Sequence, residues 1–210
     1  MNESAARDAI VRIARSMFER GLTHGSTGNI SMRVGDGWLM TPTGSSFGDL
    51  DPARLSRLDA ASMHIGGDAP TKEAFLHRAM YDEQPRFAAV VHLHSVHSVA
   101  VSVLADVDPA DVLPPLTAYY VMRVGGLPLV PYFAPGDAAL TEAVRGVAGR
   151  HHALLLANHG PVVAGSSLAA AADAIEEVEA TAKLYLLLRH ERTRGLTPDE
   201  VDALKRRWLA

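Results

Sequence analysis

Apolar positions return along the chain with two different periods. From Ser4, a good N-cap, Ile10, Ile13, Ala14 and Met17 recur at helical spacing to about Arg20, where Gly21 ends the run. Two short runs at 30–34 and 38–41, joined by a Gly-Asp-Gly turn, predict a pair of strands. Residues 56–65 predict a further strand, closed by Gly66-Gly67-Asp68. Thr71 then N-caps a helix over 72–82 that buries Phe75, Leu76, Ala79 and Met80, and Pro85 prevents its continuation. The valine-rich segment 88–94 reads as a strand and 95–104 as a helix. Residues 109–136 hold six prolines and read as extended segments with turns, including 127–133. Residues 140–147 are helical, 153–158 and 161–164 are strands, and 167–189 is the longest helix. Thr197 opens a final short helix with Pro198 in its first turn.

Strands joined directly by turns, intermixed with helices, predict an α/β sandwich with a partly antiparallel sheet and not a purely parallel doubly wound one. A length of 210 residues suits one domain spanning 1–210. No window approaches the roughly 18 apolar residues that a membrane span needs. The N-terminal segment is charged throughout, unlike a secretion signal. A net charge of −4 offers no general attraction for nucleic acid or an anionic membrane, so neither is an expected partner. The chain has no cysteine, which excludes disulfides, thiol nucleophiles and cysteine-ligated metals and is compatible with a cytoplasmic location.

Histidine placement adds a chemistry to this scaffold. His92-Leu93-His94 closes the 88–94 strand, and side chains at i and i+2 leave a strand on one face. Two such imidazoles can converge on one ion at about 2.0–2.1 Å each, while Leu93 turns into the core. His159 follows the apolar run 153–157 and precedes Gly160, at a strand end where a turn can aim it at the same point. Three neutral imidazoles suit zinc with a position left open for substrate; the competing reading is three ordinary core or surface histidines. His97 lies beyond the strand and reads as structural. His77, four residues after Glu73, could bond to it along one helix face or simply pack. Glu73, in the first turn of its helix, reads from position alone as a carboxylate favoured by the helix dipole. Glu176-Glu177-Glu179 reads as a solvated cluster.

Two small-residue loops, 25–29 and 41–46, expose backbone N–H groups and hydroxyls. The helix start at Thr71-Lys72 adds a positive dipole and an ammonium, and together these could bind a phosphate. Taken alone, glycine-rich loops of this kind are usually just turns. Neither matches a nucleotide-binding fingerprint. Gly44-Ser45-Ser46-Phe47-Gly48 fits the G-x-S-x-G serine-hydrolase pattern. However, Pro42 interrupts the approach and residues 48–52 delay the helix that the elbow requires.

The segments STGNIS (26–31), TPTGSS (41–46), PTKEAFLH (70–77), VVHLHSVHS (90–98) and ANHGPVVAG (157–165) resemble the class II aldolase/adducin family, in the family's order and over nearly the whole chain. The resemblance implies a three-layer sandwich with a mixed, largely antiparallel central sheet flanked by helices. It implies that His92, His94 and His159 bind Zn2+, one per subunit, and that Glu73 is an acid/base that also ligates the metal without substrate. It places a phosphate site on Gly28, Asn29, Thr43, Gly44, Thr71 and Lys72. Fuculose-phosphate aldolases usually carry serines before the glutamate; PTKE here, with DVLPPLTAYYVMRVG (111–125), is more similar to bacterial members that decarboxylate 3-oxo-tetronate 4-phosphate. The activity so implied is a lyase reaction giving dihydroxyacetone phosphate and CO2 through an enediolate. Tyr119 is then a second proton donor or a packing residue, and the partner is a small phosphorylated sugar acid. A sugar-phosphate aldolase, a 4-epimerase and a non-catalytic adducin-like module are the alternatives. Family members are commonly homotetramers, which is the expected assembly.

Overall fold

The computed structural model describes residues 2–134, 137 and 139–208. The chain lays down α1 (Glu3–Glu19), β1 (Asn29–Val34), β2 (Gly37–Met40), β3 (Ser56–Leu58), β4 (His64–Gly66), α2 (Ala74–Glu83), β5 (Ala89–His92), α3 (Val96–Ser102), α4 (Ala118–Arg123), β6 (Leu129–Val130), α5 (Ala139–Ala148), β7 (Ala153–Leu156), β8 (Gly160–Gly165), α6 (Leu168–Leu188) and α7 (Pro198–Trp208). The strands form one sheet in the order β4-β3-β2-β1-β5-β8-β7-β6. Every neighbouring pair is antiparallel except β6 and β7. The expected mixed, largely antiparallel sheet is therefore present.

Alternation along β5 shows how the layers arise. Ala89, Val91 and Leu93 enter one core, shared with α1, α3, α4 and α6. Val90 enters the other core, where Leu76, Ala79 and Met80 of α2 and Leu140, Val144 and Ala148 of α5 cover the opposite face. Because both faces are buried, β5, β7 and β8 read as continuous apolar runs instead of alternating ones. His92 follows Val90 by two, so it leaves the sheet on the α2 side. Among the described residues, no helix is long and apolar enough to cross a membrane.

Four boundaries differ from the sequence reading. Asn2, not Ser4, caps α1, its side chain accepting from the Ala5 N–H at 2.8 Å. The 56–65 segment is a hairpin of two short strands; Asp59 Oδ1 accepts from the N–H groups of Ala61 and Met63, and Ser62 sits at φ 68°. The helix expected from residue 72 starts at Ala74, because the Thr71 hydroxyl accepts from the Glu73 N–H at 3.3 Å and holds residues 71–73 in a turn. Within 109–136, α4 forms beyond Pro114 and Pro115, its N-terminus capped by Thr117 (the side chain accepts from Tyr120 N–H at 3.1 Å), and only Leu129–Val130 is strand. Pro135 and Gly136 of that segment lie outside the described residues.

Candidate metal centre

β5 lies near the middle of the sheet and stops at His92, so His94 stands just past its end. The fully buried His92 ring donates from Nδ1 to the Pro161 carbonyl at 2.8 Å, which fixes its tautomer and leaves Nε2 bare. His159 comes from the turn between β7 and β8. That turn needs Asn158 in the left-handed region, φ 57°, a conformation asparagine tolerates better than most residues. It also needs Gly160, where an added Cβ would stand 2.2 Å from the Leu93 carbonyl oxygen. The glycine lets the turn press against the end of β5 and delivers His159 to the strand histidines.

The three Nε2 atoms face one point. His92 lies 3.0 Å from His94 and 3.3 Å from His159, and His94 lies 3.0 Å from His159. Glu73 closes the fourth side, Oε1 at 3.2 Å from His159 Nε2 and Oε2 at 3.6 Å from His92 Nε2. Ligands about 2.0–2.1 Å from a tetrahedral ion are separated by about 3.3 Å, so this donor set fits a divalent metal ion. Its electrostatics agree. Burial, with the neighbouring rings, lowers His94 to about 3 and lowers His92 as well, so both rings are neutral ligands at neutral pH. Burial alone would raise the Glu73 carboxyl, but His92, His159 and the Asn29 amide outweigh it and hold the group well below the usual carboxylate range.

The helix starting late has a consequence here. Glu73 occupies the N-cap position of α2 yet makes no capping bond. Its side chain swings toward the imidazoles instead. One oxygen, Oε2, accepts from Asn29 Nδ2 at 2.6 Å.

The residues expected at a phosphate site gather partly. Gly28, at φ 83°, packs so close to β5 that a Cβ would lie 2.9 Å from the His92 carbonyl oxygen. Asn29 is buried beside Thr71, its amide 3.5 Å from that hydroxyl. The Thr43–Gly44 loop is tied to the approach of Thr71 by a Pro42–Pro70 bridge and by the Thr43 N–H donating to Ala69 O at 2.9 Å. Lys72 is exposed at the same turn.

Three expectations are corrected. The His77 ring does not bond to the Glu73 carboxylate; it bonds to Asn29 and Ser31, because the Glu73 side chain, at the N-cap position, leaves that helix face. Glu179 is not solvated: it is 8% exposed and accepts four hydrogen bonds from the backbone and side chains of His97 and Ser98 at the start of α3. Tyr119 is not in a strand but on α4, which packs on α6 and α7; it is 59% exposed, lies under Arg123 and makes no side-chain hydrogen bond among the described residues. Asn29 as a partner of Glu73 escaped the sequence reading, since 44 residues separate the two.

The family model described as "Class II Aldolase and Adducin N-terminal domain" matches residues 8–186. The chain belongs to this family. It is 48% identical to the 3-oxo-tetronate 4-phosphate decarboxylase of Escherichia coli (strain K12) over 97% of this chain and 96% of that one. The L-fuculose phosphate aldolase of the same strain is 35% identical, over 84% of this chain and 80% of that one. The crystal structure of YgbL from Escherichia coli superposes with a TM-score of 0.94 at 46% identity, covering 97% of this chain and 99% of that chain.

Proposed function

We propose that this family member is a single-domain, metal-dependent carbon–carbon lyase that decarboxylates a 3-oxo-tetronate 4-phosphate to dihydroxyacetone phosphate and CO2. The observation that carries the reading is the corner of three converging imidazoles and one carboxylate, in a chain 48% identical over nearly its full length to a decarboxylase of that name. His92, His94 and His159 would hold the ion, taken to be Zn2+, which supplies a Lewis acid for the substrate's oxo group. Glu73, steadied by Asn29, moves the proton to the carbon that CO2 leaves. Backbone N–H groups around Gly28, Thr43 and Gly44, with the Thr71 hydroxyl and the Lys72 ammonium, supply donors for the phosphate. Tyr119 fits a second donor role best across a boundary between copies in a cytoplasmic homotetramer, since its phenol is exposed in its own chain.

The test is CO2 release from 3-oxo-tetronate 4-phosphate by the zinc-loaded protein, with dihydroxyacetone phosphate assayed alongside. Stoichiometric formation of both supports the reading. No release by metal-replete protein moves the assignment to an aldolase or 4-epimerase, a second reading favoured by the 35% identity to the fuculose phosphate aldolase. Those reactions share the enediolate and so need the same corner.

A further inference from the structure

From Glu73 a file of buried polar side chains runs between the sheet and α2. Asn29 Nδ2 donates to Glu73 Oε2 at 2.6 Å, and Asn29 Oδ1 lies 2.5 Å from His77 Nε2. His77 Nδ1 lies 2.7 Å from Ser31 Oγ, which lies 2.8 Å from the Tyr81 hydroxyl. His77 and Ser31 are fully buried, and Asn29 and Tyr81 nearly so. Ser31 and Asn29 share a face of β1 by their spacing of two, and His77 and Tyr81 share a face of α2 by their spacing of four.

The chemistry of each group sets the direction of every proton. An ionised carboxylate only accepts, so Asn29 must present its NH2 to Glu73. Its oxygen then accepts, so His77 must carry its proton on Nε2. A neutral imidazole has a single N–H, so Nδ1 accepts from the Ser31 hydroxyl. Ser31 has spent its one proton and accepts in turn from Tyr81. All four bonds point toward Glu73. With the opposite His77 tautomer, a bare Nε2 would compete with the carboxylate for the Asn29 NH2 group.

We propose that His77 is a positioning residue for Glu73. As the Nε2–H tautomer it locks the Asn29 amide, which pins Oε2 of Glu73 and leaves Oε1 facing His159 and the ion site. The inference rests on the reading of Glu73 as the working carboxylate. A space-filling histidine would be indifferent to tautomer and equally well replaced by any side chain of its size.

Two variants and one spectrum separate these roles. His77→Gln can place an amide N–H where Nε2 stood, whereas His77→Leu fills the space with no donor. His77→Leu should lose about ten- to hundredfold in kcat or zinc affinity, with KM for the sugar acid little changed, as for other partners that orient a metal-site carboxylate. His77→Gln should recover most of that loss. Nitrogen-15 spectra of ring-labelled, metal-free protein, assigned by the signal that His77→Gln removes, should show His77 protonated on Nε2 and bare at Nδ1. A proton on Nδ1, equal loss in both variants, or a His77→Leu protein with unchanged kcat and zinc affinity would each overturn the proposal. Should the wild-type protein release no CO2, the decarboxylase reading fails. The tautomer and the zinc affinities still decide the role of His77.

Discussion

Two glutamates stand at the starts of two short helices on either side of the His92–His94 segment, and the fold uses them in opposite ways. Glu179 reaches from α6 to the N-terminus of α3, where both oxygens accept: Oε1 from His97 N–H at 3.0 Å and from its ring at 2.8 Å, Oε2 from Ser98 N–H at 2.8 Å and its hydroxyl at 2.7 Å. It takes over the cap that Ser95, in the N-cap position, does not make with its own side chain. Glu73 sits at the N-cap position of α2 and caps nothing. One of its oxygens is held by a neutral amide, and the other faces the His159 imidazole. A carboxylate whose acceptor sites are all engaged by the protein holds structure. One left with a free side is available for chemistry.

The same substitution at both positions breaks that comparison most sharply. Glu73→Gln should lower turnover by about 10²- to 10⁴-fold, the range for removing a positioned acid/base, while melting temperature and zinc content stay near wild type. A fully active purified Glu73→Gln would remove the acid/base role. His94→Ala should act on the other half of the corner and lower zinc content. Unchanged occupancy would strike His94 from the ligands. Glu179→Gln should do the reverse of Glu73→Gln. An amide can accept from only one of the two residues and turns its own NH2 against the other's donors, so buried groups lose their partners at about 1–3 kcal/mol each. A loss of about 3 kcal/mol in urea denaturation is expected, with turnover per folded, zinc-loaded molecule falling far less. Glu179→Gln with wild-type stability would dissolve the distinction between the two carboxylates.

What the sequence made legible follows from the range of the forces involved. The strand histidines, the long α6 and the antiparallel core were readable because period and turn residues act over a few positions. The cap by Glu179 was not, because its partners lie more than 80 residues away and nothing local marks one glutamate of Glu176, Glu177 and Glu179 as buried. Proline density hid α4, although all its upstream prolines precede the Thr117 cap, where they do not obstruct a helix. His77 looked like a partner of Glu73 from a spacing of four, which holds only if both lie on the helix. Thr71 delays the helix by two residues, and that small local event separates the pair and sends Glu73 to the metal corner.

Acid titration of the metal-free protein offers the finest comparison, because the buried groups lose their stabilising effect in two different pH windows. Burial lowers His77 from its usual 6.5 to about 3. Below pH 6.5 the unfolded chain binds a proton that the folded chain refuses, so stability is complete above 6.5 and drains as pH falls toward 3, at up to about 1.4 kcal/mol per pH unit for one proton. Burial alone would raise Glu179, but its bonds from Ser98 and His97 outweigh that and lower it from the usual 4.5. Its contribution is therefore present above 4.5 and lost only as pH falls below. His77→Gln should flatten the decline in urea midpoint between about pH 6 and 4.5 by one proton. Glu179→Gln should start from a lower midpoint, parallel wild type in that window, and converge on it only beneath, where wild type loses what the variant already lacks. His92 and His94 titrate downward in every variant and cancel in the differences. If His77→Gln instead runs parallel to wild type down to pH 4.5, the ring is not being kept neutral by burial. The one-directional run of hydrogen bonds toward Glu73 then loses its central link.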